Sequence, residues 1–406
     1  MRFGLSELCL AGVLASASAH AADVNLYVAK TGVDTADCDW SGAPCKTINY
    51  AVTHALMYGS PNGNVVVNFL GTGTWAESLM VSGGVPNGLN TVPIPAIGTV
   101  WPSMVLLLGN GSGNTTISGD GGVCYTVGAS EYATVGVARM RLTGNATGCQ
   151  STLFAQLGGA INVFGDVDFG PASAAQIHAE DSGGNIQFWQ DYYISGGATN
   201  FIAVGSQANV KVSAGVGHLT GTPHFSSFLF GYSNGNIQTN IPTPWVGAAT
   251  GQRFALFSNA VVETNGSTSA SLIPGDSPGI VSSGARFHGP MHTSILSDSG
   301  LGFSGTSAVS SASTPMAGTV ILSPLDTPHD NGTVNVLMPY RVAMSDGTPA
   351  PCSATFSSGG TATWTGGILT ADLFGGATPY LRINWSNGGS LTSGATYLIN
   401  YKCDGD

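Results

Sequence analysis

Carboxylates are the first candidates for chemistry in this chain. Asp166 and Asp168 stand two positions apart in a segment, GGAINVFGDVDFG, that alternates like a strand, which directs both to one side. Asp191 follows Asp166 one repeat later, with Glu180 and Asp181 between them. Two carboxylates stacked on neighbouring strands can act as the acid and base of glycoside hydrolysis. The competing reading is a solvated face or a set of turn ends, because acids number 22 against 11 Lys and Arg and are simply the commonest charges. Beside them lie four aromatics, Phe188, Trp189, Tyr192 and Tyr193. Trp189 and Tyr193, with Glu180, would form a platform on which sugar rings stack, though alternate aromatics must point inward and the sequence alone leaves open which ones do. His178, His218 and His224 are further candidate bases, without an orienting partner obvious in the sequence.

The elements that would position these residues follow from a weak internal repeat. Val135, Ile161, Ile186, Val210 and Ile237 recur at steps of 26, 25, 24 and 27. A second series, Phe154, Ile177, Ile202 and Leu229, steps by 23, 25 and 27. A period near 25 with two or three short strands per repeat describes a β-solenoid, in which each coil buries its apolar side only by stacking on its neighbours. Leucine-rich and ankyrin-type repeats lack their required patterns here. Stacked coils lie ~4.8 Å apart, so Cys124 and Cys149, one repeat apart, would meet within disulfide range. The span from 64 to about 290 would hold roughly nine coils at this period.

Composition agrees. Charged residues make up only 8% of the chain, against ~25% in ordinary soluble domains. With 59 glycines, many Ser, Thr and Asn residues and 43% hydrophobic residues, the chain suits short strands, tight turns and a sizeable core. A net charge of −11 without a basic cluster argues against nucleic acid as a partner and disfavours anionic membranes. Neutral glycans fit; anionic ones would need a locally positive groove or bound cations.

The N-terminus reads as an export signal: Arg2, an apolar stretch from Leu5 to Ala17, and Ala19-His20-Ala21 as the cleavage site. An ordinary buried first helix is the alternative. Removing Cys9 with the signal leaves six cysteines, an even number suited to an oxidising compartment. Proximity favours Cys38–Cys45, Cys124–Cys149 and Cys352–Cys403 among the fifteen pairings open to six cysteines. No CxxC or His-flanked spacing suggests a metal, no cofactor signature is present, and no later apolar run approaches a membrane span.

The expected organisation is a signal peptide over 1–21, an N-terminal cap over 22–75, a β-helix over 76–303, a Ser-rich linker over 304–316 and a small antiparallel β-sandwich over 317–406. Within the cap, apolar residues at Ile48, Ala51, Val52, Ala55 and Leu56 have a helical period.

Two resemblances refine this. Tyr27-Val28, Thr31-Gly32-Val33-Asp34, Ala43-Pro44-Cys45-Lys46-Thr47-Ile48, Ala51-Val52 and the Gly73-Thr74-Trp75-Ala76-Glu77 turn resemble the N-terminal cap of pectin-lyase-like right-handed parallel β-helices. That resemblance implies an all-β solenoid whose open end is closed by a helix. Thr250-Gly251-Gln252-Arg253-Phe254, Asn265-Gly266 and Leu272 to Gly279 are similar to a segment of phage- and prophage-encoded β-helix proteins of tail-spike or tail-fibre type. This implies a trimer that engages cell-surface polysaccharide. The pectate-lyase and polygalacturonase sets are incomplete: Gly217-His218 is followed by Leu219, R-x-K is absent, and the coils hold no adjacent Asp pair. Three functions therefore compete: a surface module that recognises polysaccharide, a polysaccharide hydrolase or lyase, and a structural adhesin.

Overall fold

A computed structural model of the chain describes residues 23–403 apart from 36, 59–63, 83–84, 87–103, 145–149, 242, 265–271, 289–293, 300–305, 310–316, 325–330, 339, 343–347, 358–367, 375–379 and 387–390. The export signal read over 1–21 and Cys149 lie outside these residues.

The chain is an all-β right-handed parallel β-helix followed by small antiparallel sheets. Three long sheets of ten, seven and ten strands form its faces. One coil shows the order: Ala160–Val163 in the first sheet, Val167–Phe169 in the second and Ala175–Ala179 in the third, before Asn185–Phe188 returns to the first. Among the described residues the second sheet holds seven strands, one per complete coil, fewer than the roughly nine coils suggested by length.

The first apolar series stacks residue for residue: Val135, Ile161, Ile186, Val210 and Ile237 are successive register partners in the first sheet. The second series needs one correction. Ile177, Ile202 and Leu229 are register partners, but the residue below Ile177 is Leu153, not Phe154. Leu153 is fully buried, whereas Phe154 points outward beside His178. In a strand a shift of one residue exchanges core for surface, and hydrophobicity alone does not distinguish Leu-Phe from Phe-Leu.

The interior is a continuous stack of aliphatic residues with an aromatic seam. Phe169, Phe188, Tyr192, Phe201, Phe225, Phe228 and Trp245 are all buried, and consecutive members pack with ring centroids 4.5 to 6.2 Å apart. Gly217 lies in register between Tyr192 and Trp245, where a Cβ would stand 2.7 Å from one ring and 2.8 Å from the other. The missing side chain lets the seam pass without a break.

Corners between the third and first sheets use consecutive left-handed residues. Ser206-Gln207, Ser233-Asn234 and Ser258-Asn259 all have φ between 46° and 66°. That region is costly for most side chains and less so for short polar ones, which accounts for the Ser, Asn and Gly content. The turns stack, each donating a backbone hydrogen bond to the next.

At the N-terminal end the helix Ile48–Tyr58 buries Ile48, Ala51 and Val52. Its free N–H groups are capped by a carboxylate, Glu77 Oε2, which accepts from Ile48 N at 2.9 Å and Asn49 N at 3.1 Å. Asp34 accepts from Lys46 N, Thr47 N and Thr47 Oγ1. The cap motif thus works as a pair of acids that tie the helix onto the coil. Coiling begins inside the segment read as cap, since Val24–Val28, Val65–Phe69 and Gly73–Ala76 already stand in the long sheets.

At the other end, Asp276 Oδ1 accepts from Gly251 N at 2.9 Å, and Arg253 N donates to Ser277 O at 3.0 Å. The first and last parts of the second motif therefore meet across neighbouring coils, while its Asn265-Gly266 lies outside the described residues. Two four-stranded antiparallel sheets follow. They already include Ser294–Ser299, and Thr306–Val309 is a strand within the stretch read as a linker. Tyr340–Val342 leaves these sheets to pair in parallel with Gly279–Val281 of the β-helix. Disulfides join Cys38 to Cys45 and Cys352 to Cys403, and Cys124 is also disulfide-bonded. No helix among the described residues is long and apolar enough to cross a membrane.

Candidate functional site

On the outer face of the second sheet one register column runs Thr74, Thr116, Arg141, Asp168, Tyr193, His218, Val246. Neighbouring strands place these side chains ~4.8 Å apart. The centre is cross-linked. Arg141 Nε lies 3.5 Å from Asp168 Oδ2, which also accepts from Ser195 Oγ at 2.8 Å. The Tyr193 and His218 rings lie 5.6 Å apart. His218 Nε2 is 3.6 Å from Asp191 Oδ2, while Asp191 Oδ1 accepts from Val216 N at 2.7 Å.

Alternation decides the aromatics. Phe188 and Tyr192 point into the core, while Trp189 and Tyr193 are 44% and 40% exposed. Trp189 stands at the corner between the first and second sheets, its Nε1 donating to Asn162 Oδ1 at 2.9 Å. That bond fixes the indole and leaves its ring exposed.

The proposed acid pair is not brought together. Asp166 is not on the strand with Asp168 but in the turn before it, with φ of 59°. Its backbone N–H does meet Asp191 O at 3.3 Å, as the one-coil step required. The carboxylates diverge along the axis, however. Asp166 turns back to Ser112 N and Oγ, at 3.2 and 2.7 Å, while Asp191 turns forward to the next coil. Asp168, Asp191 and Tyr193 do share one face. Asp168 Oδ1 is buried and has no hydrogen-bond partner within the described protein.

Glu180 lies on a different face, at the end of a third-sheet strand. Its Oε2 accepts from Tyr232 Oη at 2.9 Å and lies 3.3 Å from His178 Nε2. Hydrogen bonding by His178, opposed by burial, holds the Glu180 carboxyl below its usual range. Burial, reinforced by Glu180, pushes the Tyr232 phenol well above its usual range, so it remains a donor. Tyr232 lies across Gly205, whose Cβ would stand 2.1 Å from the ring, and so spans two coils. This is a clasp between coils rather than part of the second-sheet column.

Sequence reading missed Arg141 and the partners of three histidines, His178, His218 and His224. Arg141 stands one coil before Asp168, and the repeat could have found it. His178 and Glu180 are two positions apart on one strand edge, a signal present in the sequence itself. His224 Nδ1 meets Thr250 Oγ1 at 3.0 Å. No group of three or more metal-ligating side chains is present among the described residues.

No protein-family model matches this chain, and no curated protein matches it. Among solved structures, the tailspike gp61 of Pseudomonas phage phi297 aligns over 86% of this chain with 12% identity and a TM-score of 0.17. The chain spans 64% of that tailspike's length.

Proposed function

We propose that this chain is an exported β-helix protein of tail-spike type that recognises an extracellular or cell-surface polysaccharide along the outer face of its second sheet. The observation that carries the reading is the register column itself. Tyr193 and His218 stand side by side on it with Asp168, Asp191 and Arg141 alongside, and the exposed Trp189 is fixed at the corner that leads into this sheet. Flat exposed rings supply apolar contact to the faces of sugars, and carboxylates and a guanidinium supply hydrogen bonds to their hydroxyls. Each rung advances ~4.8 Å, comparable to the length of a sugar ring, so a glycan chain can follow the axis. Arg141 is compensated by Asp168 and the chain carries −11, so a neutral glycan suits the face better than a polyanion. Export would give the disulfides an oxidising compartment, and a trimer would display three such faces.

The test is binding of the purified chain to a panel of oligosaccharides, with reducing and unsaturated ends assayed in parallel. Trp189→Ala and Tyr193→Ala should each weaken binding at least about tenfold, ~1.4 kcal/mol, as for loss of an aromatic anchor in a binding face. Unchanged binding in both variants would remove the proposed face. Release of new ends, abolished by Asp168→Asn or Asp191→Asn, would favour a hydrolase or lyase instead.

A further inference from the structure

One of the C-terminal antiparallel sheets carries a second ordered polar face, independent of the β-helix site. Its central strand Tyr380–Ser386 buries Leu381, Ile383 and Trp385. By alternation Tyr380, Arg382 and Asn384 face outward. Register sets Asn384 between Thr333 and Thr370, and Arg382 between Asn335 and Asp372.

These side chains are held in place by one another. Thr333 Oγ1 donates to Asn384 Oδ1 at 2.8 Å, and Asn384 Nδ2 donates to Thr370 Oγ1 at 3.3 Å. Arg382 Nε donates to Asn335 Oδ1 and its Nη2 to Tyr380 Oη, both at 3.2 Å, with the guanidinium 5.6 Å from the centre of the Tyr380 ring. Thr370 and Asp372 are exposed and the others half-buried. The result is a grid of amide, hydroxyl, guanidinium, carboxylate and phenol groups on a rigid sheet, with its charges balanced by Arg382 and Asp372.

The other antiparallel sheet supplies an internal comparison. There Asn400 lies in register between Thr319 and Thr355, and Thr319 Oγ1 donates to Asn400 Oδ1 at 2.8 Å. The Thr-Asn-Thr rung is thus common to both sheets. The adjoining rung differs: Ile321, Leu398 and Ser357 occupy one side of Asn400, and Ala317, Lys402 and Ser353 the other. Neither reproduces the Asn335-Arg382-Asp372 row above Tyr380. A Thr-Asn-Thr rung alone is explained by sheet cohesion. The fixed guanidinium with an amide, an acid and an aromatic ring beside it is additional, and it costs side-chain entropy to maintain.

We infer that this face, centred on Arg382 and Asn384, is a saccharide-binding surface for neutral sugars. Paired donors and acceptors at strand spacing match vicinal hydroxyls, and a preorganised grid limits the entropy lost on binding. Charge balance across Arg382 and Asp372 argues against an anionic ligand.

An array of neutral, uronate-bearing and amino-bearing oligosaccharides, probed with the full chain, tests this. Trp189→Ala serves as the background in which the β-helix site is disabled. Neutral oligosaccharides should still be retained in that background, and adding Arg382→Ala should weaken them at least about tenfold. Arg382→Lys, which keeps the charge but loses the fork, should also weaken them, and Asn400→Ala on the other sheet should not. Equal retention with and without Arg382, retention only of uronate-bearing probes, or loss of all binding with Trp189→Ala would overturn the inference. Because the background variant separates the two faces, failure here leaves the β-helix reading standing.

Discussion

Replacing Leu153 and Phe154 one at a time provides a sharp test of the coil register. Leu153 is fully buried between Val127 and Ile177 in the third sheet. Truncation to Ala removes three carbons, worth ~0.8 kcal/mol each in transfer. The neighbouring strands are pinned at fixed spacing and cannot collapse into the void, so a cavity term adds to this. A loss of about 3 to 5 kcal/mol is expected, the upper part of the usual Leu→Ala range. Phe154, although larger, points outward. It packs against Tyr125 at 6.1 Å and His178 at 5.2 Å, contacts worth ~1 kcal/mol between them when partly exposed. Phe154→Ala should therefore cost only about 1 to 2 kcal/mol. The two variants are compared by urea unfolding followed by far-UV circular dichroism, reading the midpoint shift at constant slope. If Phe154→Ala destabilises as much as Leu153→Ala, the strand is in the other register and the outward placement of His178 is lost with it.

Other consequences follow from particular contacts. Pairing depresses the Glu180 pKa, so its clasp with His178 and Tyr232 contributes stability above the ordinary carboxylate range, and that contribution disappears as pH falls through the lowered folded value. Tyr232→Phe should cost about 1 kcal/mol at pH 7, and its difference from the parent in thermal unfolding should shrink as pH falls below the ordinary carboxylate range and Glu180 protonates; a pH-independent difference would dismiss the clasp. Gly251 has φ of 100°, and a Cβ there would stand 1.6 Å from Phe225 O, so Gly251→Ala should lower the unfolding temperature by several degrees, whereas Gly221→Ala, with no atom within 4 Å of its Cβ, should lower it less. The Cys352–Cys403 bridge closes a sequence separation of 51, for which chain entropy gives ~4 kcal/mol. Paired Cys→Ser substitution should destabilise the C-terminal sheets, visible as earlier loss of hydrogen-exchange protection over Tyr397–Cys403, while amides of Ile186 and Val210 stay protected.

The winding was legible in the sequence because a solenoid writes its geometry as a period. Val135, Ile161, Ile186, Val210 and Ile237 recur once per coil because each must cover the one below. The cap motif that contains Asp34 and Glu77 and the cysteine pairs Cys38–Cys45 and Cys352–Cys403 were also readable, whereas the capping contacts of the two acids became visible only in the fold. What the period could not supply was phase and direction. Only the folded coil decided that Leu153 rather than Phe154 faces inward, that Asp166 falls in a turn, and that its carboxylate leaves Asp191 to bind Ser112. Those outcomes depend on where each turn adopts left-handed backbone and on which way a side chain leans along the axis. Both are settled by contacts between coils, and a linear pattern of residue types carries no record of them.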